Sequence, residues 1–165
     1  TPLEERLLRE VPIFNEPIFG YVSTDHPLYE ASEIDEEMLS PYPIWLLNQG
    51  HCFRSQVLNI CDQPMRSTDS TNFVYESGSL ETLKNLVSMG NGATLLPALA
   101  AYNKVEQLKM IKRFKDPQPL REVSLVVHEH STRNKLIESL YATIVDKVPE
   151  EYQVTYKNGR IIHWV

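Results

Sequence analysis

The residues best suited to chemistry in this chain of 165 residues are its two cysteines, which stand nine positions apart. Cys52 follows Gly50 and His51, and Arg54 comes two residues later. A thiolate, the nucleophilic form of cysteine, is favoured at a helix N-terminus and beside Arg or protonated His. Cys61 lacks basic neighbours and is followed by an acidic residue. We therefore expect Cys52 to be the attacking thiol and Cys61 the resolving thiol.

The segment between the cysteines is predicted to be helical. Phe53, Val57 and Ile60 fall on one helical face, and neither Gly nor Pro intervenes. Nine residues of α-helix rise about 13.5 Å and turn about 900°, which puts the two cysteines on opposite sides. A disulfide needs Cα atoms about 4.4–6.8 Å apart. Joining the two sulfurs would thus require the helix to unwind, as in a two-state redox switch.

The cysteine spacing allows two other interpretations. Two buried, inert cysteines are common in protein cores, and the spacing alone leaves that alternative open. A metal site is disfavoured, because a C-x8-C pattern with one nearby His lacks the spacing of zinc ligands. We therefore predict no metal and no cofactor.

The segment GHCFRSQVLNIC (residues 50–61) resembles the redox segment of the OxyR family, the peroxide-sensing LysR-type transcription regulators. The segment SLETLKNLVSMGNGATLLPALA (residues 79–100) resembles the same family. The similarity runs from about residue 10 to residue 140. Together the two motifs disfavour the interpretation of inert core cysteines.

The resemblance implies a reaction and its partners. Hydrogen peroxide would oxidise Cys52 to a sulfenic acid, and Cys61 would resolve it to an intramolecular disulfide. The change in conformation and subunit packing, in a dimer or tetramer, would activate oxidative-stress genes. Glutaredoxin or glutathione would reopen the disulfide. Promoter DNA would be bound through an N-terminal helix-turn-helix that this sequence does not contain.

The resemblance also implies supporting roles around the reactive thiol. Gly50, His51 and Arg54 belong to the Gly-His-Cys-x-Arg motif, and His51 and Arg54 would stabilise the Cys52 thiolate and the departing oxygen. Arg121 aligns with an arginine that points, in the family, at the reactive cysteine from the junction of two lobes. The alternatives without a redox role are a turn residue that caps the helix for His51, a solvated surface charge for Arg54 and an ordinary surface residue of a strand for Arg121.

Alternating strands and helices indicate an α/β fold. Residues 15–17 and 116–119 are predicted to interrupt the secondary structure where the chain crosses between lobes. Combined with the resemblance, this predicts a two-lobed, periplasmic-binding-protein-like effector domain with one lobe incomplete at its N-terminus. Residues 17–118 would form regulatory subdomain II, which carries the redox segment. Residues 1–16 and 119–165 would form part of regulatory subdomain I.

Composition narrows the functional classes. The formal charge is −6 and no basic run occurs, so this piece is not expected to hold nucleic acid by itself. We find no apolar run of membrane-spanning length and no signal peptide. Two cysteines are too few for a secreted disulfide scaffold. We therefore expect a cytoplasmic protein, normally reduced, with one inducible disulfide and no membrane contact.

Three local patterns carry further expectations. Ser32 is placed to cap a short acidic helix. A helix capped by Ser131 or Thr132 should run to about Lys147, with a core-facing apolar stripe of Leu136, Leu140, Ile144 and Val148. Asn158-Gly159 lies between two β-type runs and indicates a hairpin, which departs from the expected tail of the family.

Two other functions remain as alternatives. A LysR-type effector domain could bind a small organic ligand between its lobes, and its cysteines would then be unimportant. A peroxidase would use the same thiol chemistry with turnover. We predict that the chain is not an enzyme, because a sensor needs only one oxidation per signal and no docking motif for a reductase is apparent.

Overall fold

The computed structural model describes residues 5–61, 76–90, 92–101, 105–153 and 158–163. A 3-10 helix at Val105–Met110 accompanies the strands and helices. In chain order these are β1 (Leu8–Val22), β2 (Glu33–Ile34), α1 (Glu36–Leu39), β3 (Leu46–Leu47), α2 (Cys52–Cys61), β4 (Glu76–Ser77), α3 (Leu80–Ser88), β5 (Ala93–Pro97), α4 (Ala98–Ala101), β6 (Ile111–Phe114), β7 (Gln118–His128), α5 (Asn134–Lys147), α6 (Glu150–Gln153) and β8 (Gly159–Ile161).

The long strand β1 is shared between two sets of neighbours. Its first part, from Leu8 to Pro17, pairs antiparallel with β7. Its second part, from Ile18 to Val22, pairs antiparallel with β5, and β6 also joins it there. β2 extends the sheet beyond β6, and β8 extends it beyond β7, both in parallel. β3 and β4 form a separate parallel pair.

Alternate residues of β1 face two different hydrophobic clusters, as the two-residue period of a strand dictates. Ile18 and Val22 belong to the cluster that contains the apolar face of α2. Phe19 and Tyr21 belong to the other, together with residues of α3, α4 and α6. Helix α2 therefore packs on one side of the sheet, and its position is fixed by the core.

The predicted helix between the cysteines is confirmed, and α2 begins and ends at them. Two local predictions were wrong. Residues 15–17 do not interrupt the chain, because β1 runs through them and pairs with β7 there. Ser32 does not cap α1. Residues 33–34 are held in β2, and the carboxylate of Asp35 accepts the cap hydrogen bond from the Met38 N–H at 2.9 Å.

The predicted apolar stripe of α5 is only partly correct. Val148 is buried and Ile144 packs against the second cluster, but Leu136 is 61% exposed and Leu140 is 46% exposed. The predicted cap is also wrong, because Arg133 occupies the N-cap position and makes no side-chain cap hydrogen bond. The first turns of α5 do not face a core made by the described residues.

The strand that follows Asn158 pairs with a distant partner, and the predicted hairpin stays a prediction. This strand, β8, pairs in parallel with β7, with Gly159 opposite Gln118 and Ile161 opposite Leu120. The other arm of the predicted hairpin falls in residues 154–157, which lie outside the described residues. Over the described ranges, no helix combines the length and the apolar composition that crossing a membrane would need.

Candidate redox site

A turn of four residues delivers the chain into α2. The N–H of His51 donates to the carbonyl of Asn48 at 3.4 Å, and Gly50 adopts a φ of +94°. This left-handed conformation favours glycine, and no atom lies within 4 Å of where a Cβ would stand. Gly50 is therefore required by the backbone of the turn and not by lack of space. His51 and Cys52 both follow it on the exposed surface.

The two cysteines occupy the ends of α2 in different surroundings. Both are free thiols, with Cys52 exposed and Cys61 buried. Burial raises the pKa of Cys61 to about 12, and the nearby Glu36 carboxylate adds to the effect. A ten-residue helix separates its first and last residues by about 13.5 Å along its axis. The site thus holds one accessible thiol and one buried, protonated thiol that are too far apart to bond.

Arg54 ties the first turn of α2 to the neighbouring strands. Its Nη1 donates to the carbonyl of Leu47 in β3 and to the Glu76 carboxylate in β4, both at 2.7 Å. Within the described ranges, Arg54 makes no hydrogen bond to Cys52. Glu76 was not singled out in the sequence, because nothing local marks a partner 22 residues away. Arg54 thus anchors the helix start in this conformation.

Arg121 reaches the site from β7. Its Nε and Nη2 donate to one carboxylate oxygen of Glu16 at 2.7 and 2.6 Å. Glu16 is fully buried, and its second oxygen accepts the N–H of Leu99 at 2.7 Å. The guanidinium carbon of Arg121 lies 5.8 Å from the ring centre of Phe53, within the range of a cation–π contact. The structure therefore brings Arg121 to the residue that follows Cys52.

The polar side of α2 meets the C-terminal tail, which the sequence did not reveal. Gln56 Nε2 donates to the carbonyl of Ile162 at 3.0 Å, and Asn59 Nδ2 donates to the carbonyl of His163 at 2.9 Å. These pairs are 106 and 104 residues apart in the chain. The only local signal was an amide at position 56, beside the apolar stripe. The tail therefore contacts the helix between its two cysteines.

Other kinds of site find less support in the described parts of the chain. No group of three His, Cys, Asp or Glu residues there could hold a metal ion. An open cleft of about 410 Å³ lies between β1 and α5, and it contains none of the predicted redox residues. Its lining residues are Arg9, Val11, Asn134, Ile137, Glu138 and Tyr141. The cleft and the redox residues are therefore separate features of the described chain.

Comparison with known families and proteins gives a consistent result. Residues 1–149 match the LysR substrate binding domain family. A hydrogen peroxide-inducible genes activator from Haemophilus influenzae is 33% identical over 150 residues, which is 90% of this chain and 48% of that protein. The DNA-binding transcriptional dual regulator OxyR from Escherichia coli is 33% identical over 161 residues, covering 94% and 50%. The chain spans about half the length of the curated relatives it matches.

Solved structures agree with these matches. Reduced OxyR from Porphyromonas gingivalis superposes with a TM-score of 0.82 at 31% identity, covering 96% of this chain and 72% of that one. A reduced form of OxyR from N. meningitidis superposes with a TM-score of 0.75 at 27% identity, covering 88% and 66%. The α/β fold described above is therefore the fold of these regulatory domains.

Proposed function

The chain belongs to the LysR substrate binding domain family, and from that premise we propose that it is the hydrogen peroxide-sensing part of a transcription regulator. The observation that carries the proposal is the arrangement of α2. An exposed thiol opens the helix, a buried thiol closes it, and the helix itself keeps them apart. Oxidation would replace this arrangement by one in which the two sulfurs are bonded.

The proposed reaction consumes one peroxide per switch. The Cys52 thiolate attacks an oxygen of hydrogen peroxide, so that an S–O bond forms, the O–O bond breaks and the departing hydroxide becomes water. The Cys61 sulfur then attacks the Cys52 sulfur, forming the disulfide and releasing a second water. The two thiols lose two electrons and two protons, and peroxide is reduced to two waters.

The second step depends on a structural change. Cys61 is buried and its pKa is raised to about 12, so its thiolate is scarce while α2 is intact. Opening the end of the helix would both hydrate Cys61 and shorten the distance to Cys52. We infer that unwinding of α2 comes before disulfide formation and that the peroxide step does not need it.

The surrounding residues are assigned as follows. Gly50 permits the turn that presents His51 and Cys52, and His51 would act on the thiolate or the departing oxygen. Arg54 would first hold the helix start through Glu76 and the Leu47 carbonyl. Arg121, fixed by Glu16, would supply positive charge beside Phe53. These roles remain proposals, and each acts at the first turn of α2.

In the whole regulator, the chain would be divided between two lobes. Residues 17–118 would form subdomain II, and residues 1–16 and 119–165 would belong to subdomain I. Rebuilding α2 would change subunit packing in a dimer or tetramer and thereby promoter binding by a helix-turn-helix domain of the same protein. Glutaredoxin or glutathione would return the chain to its reduced form.

Thiol titration after one equivalent of hydrogen peroxide tests the proposal. The chain should lose both free thiols and two hydrogens in mass, without intermolecular crosslinks, and its far-UV helix signal should fall. Cys61→Ser should stop at the sulfenic acid, whereas Cys52→Ser should keep its remaining thiol. Full retention of both thiols in the unmodified chain, or equal thiol loss in Cys52→Ser, would contradict the proposal. Continuous peroxide consumption with a thiol reductant would instead indicate a peroxidase.

A further inference from the structure

The C-terminal tail, defined here as residues 158–163, crosses from the edge of the sheet onto α2. Its strand β8 pairs with the start of β7, and the N–H of Ile162 then donates to the Leu120 carbonyl at 2.8 Å. Immediately beyond, the carbonyls of Ile162 and His163 accept the hydrogen bonds from Gln56 and Asn59 of α2. The tail is thus attached to β7 on one side and to the redox helix on the other.

The attachment to α2 is well packed. Ile162 is 4% exposed and lies in the same hydrophobic cluster as the apolar face of α2. Gln56 is 5% exposed, so its amide would be left buried without this acceptor. Two weaker contacts hold the tail to other parts of the chain, an exposed hydrogen bond from Asn158 to Asp116 and an ion pair between Arg160 and Glu36 of α1.

The two amide hydrogen bonds depend on the helical form of α2. Gln56 and Asn59 are three residues apart, which in a helix places them on one face with an axial separation of about 4.5 Å. The acceptors are the successive carbonyls of Ile162 and His163, which follow the end of β8 and both face α2. In an unwound segment the same side chains would stand up to about 10 Å apart. The tail therefore binds the helical state of α2 in preference to an unwound state.

We propose that the tail is a strap that holds α2 helical and so limits the rate at which the Cys52–Cys61 disulfide forms. This inference rests on the proposed function, because it assigns a control on the second step of that reaction. By thermodynamic linkage this effect is reciprocal. The contact with the tail favours the helical form of α2, and oxidation, which disfavours that form, weakens the contact to the same extent.

The double variant Gln56→Ala, Asn59→Ala tests the strap. Alanine has a higher helix propensity than either amide, so the substitutions by themselves should strengthen α2. If the strap acts as proposed, disulfide formation after one equivalent of peroxide should nevertheless be about tenfold faster, because two hydrogen bonds to the tail are lost. Ser55→Ala is the matched control, since it raises helix propensity and Ser55 makes no hydrogen bond to the described tail. That control should form the disulfide at the original rate or more slowly.

The two steps of the reaction separate this proposal from the proposed function. Sulfenic acid formation, trapped in a Cys61→Ser background, should be unaffected by the double variant because Cys52 is already exposed. If Cys52 is never oxidised, the proposed function fails. If the disulfide forms in the unmodified chain but no faster in the double variant than in the Ser55→Ala control, the strap is overturned and the function stands.

Discussion

The thiols of Cys52 and Cys61 differ in their exposure to water. A thiolate in an apolar environment loses the stabilisation that water gives to its charge, so burial favours the neutral thiol. Cys61 is in this situation, and its pKa is raised to about 12. Cys52, at the other end of the same helix, is exposed. The difference is imposed by the position of each residue on the helix.

Alkylation should reveal this difference directly. At pH 8 a thiol with a pKa of about 12 is ionised in roughly one molecule in ten thousand. We expect iodoacetamide to modify Cys52 at least about 100 times faster than Cys61 in the folded, reduced chain, as measured by peptide mass spectrometry. In concentrated urea the two rates should converge. Comparable labelling of both residues in the folded chain would show that Cys61 is not buried as described.

Helix α2 shows how far local sequence can predict an element. Its helical form follows from the spacing of Phe53, Val57 and Ile60 and from the absence of Gly and Pro, all of which act within a few turns. The contacts of α2 with other elements do not follow from its local sequence. Glu76, Ile162 and His163 meet the helix only because β4 pairs with β3 and the tail pairs with β7. Such contacts depend on topology, which periodicity does not encode.

Two failed predictions have a similar physical cause. Ser32 has the sequence features of a cap, but pairing of β2 with β6 takes the following residues out of the helix. Residues 15–17 have the composition of a break, but pairing with β7 keeps them in β1. In both cases a neighbour distant in the sequence replaced the local arrangement.

Removing the core contact of α2 should destabilise the chain strongly. Ile60 is fully buried between the helix and the sheet. Ile60→Ala should lower the free energy of unfolding by about 2–5 kcal/mol, because it removes buried methyl groups and leaves a cavity. Urea unfolding of the reduced chain measures this value, with Ser55→Ala as a control expected to change it by less than about 0.5 kcal/mol. A similarly small effect of Ile60→Ala would contradict the packing of α2 described here.

At the scale of the whole molecule, β1 connects the two parts of the sheet. Its first ten residues pair with β7, and its last five pair with β5 and β6. The ion pair between buried Glu16 and half-buried Arg121 lies where the pairing changes, which is close to the predicted boundary between subdomains. The division into lobes stays a prediction, and the continuous strand explains why residues 15–17 are not a break in secondary structure.

In helix α5, the burial predicted from the spacing of apolar residues differs most clearly from the burial in the structure. Leu136, Leu140, Ile144 and Val148 have the spacing of a core stripe, yet the first two are largely exposed. Periodicity identifies an apolar face but does not say what covers it. The described residues cover the N-terminal part of this face only in part.

Stability measurements on this chain should separate the two halves of the stripe. Because Leu136 and Leu140 are exposed, Leu136→Gln and Leu140→Gln should each change the free energy of unfolding by less than about 0.5 kcal/mol. Leu and Gln have similar helix propensities, so α5 itself should be unaffected. Leu120→Ala is the matched buried control and should cost about 2–5 kcal/mol in the same urea titration. A loss above about 2 kcal/mol from either glutamine variant would show that the face is covered in solution.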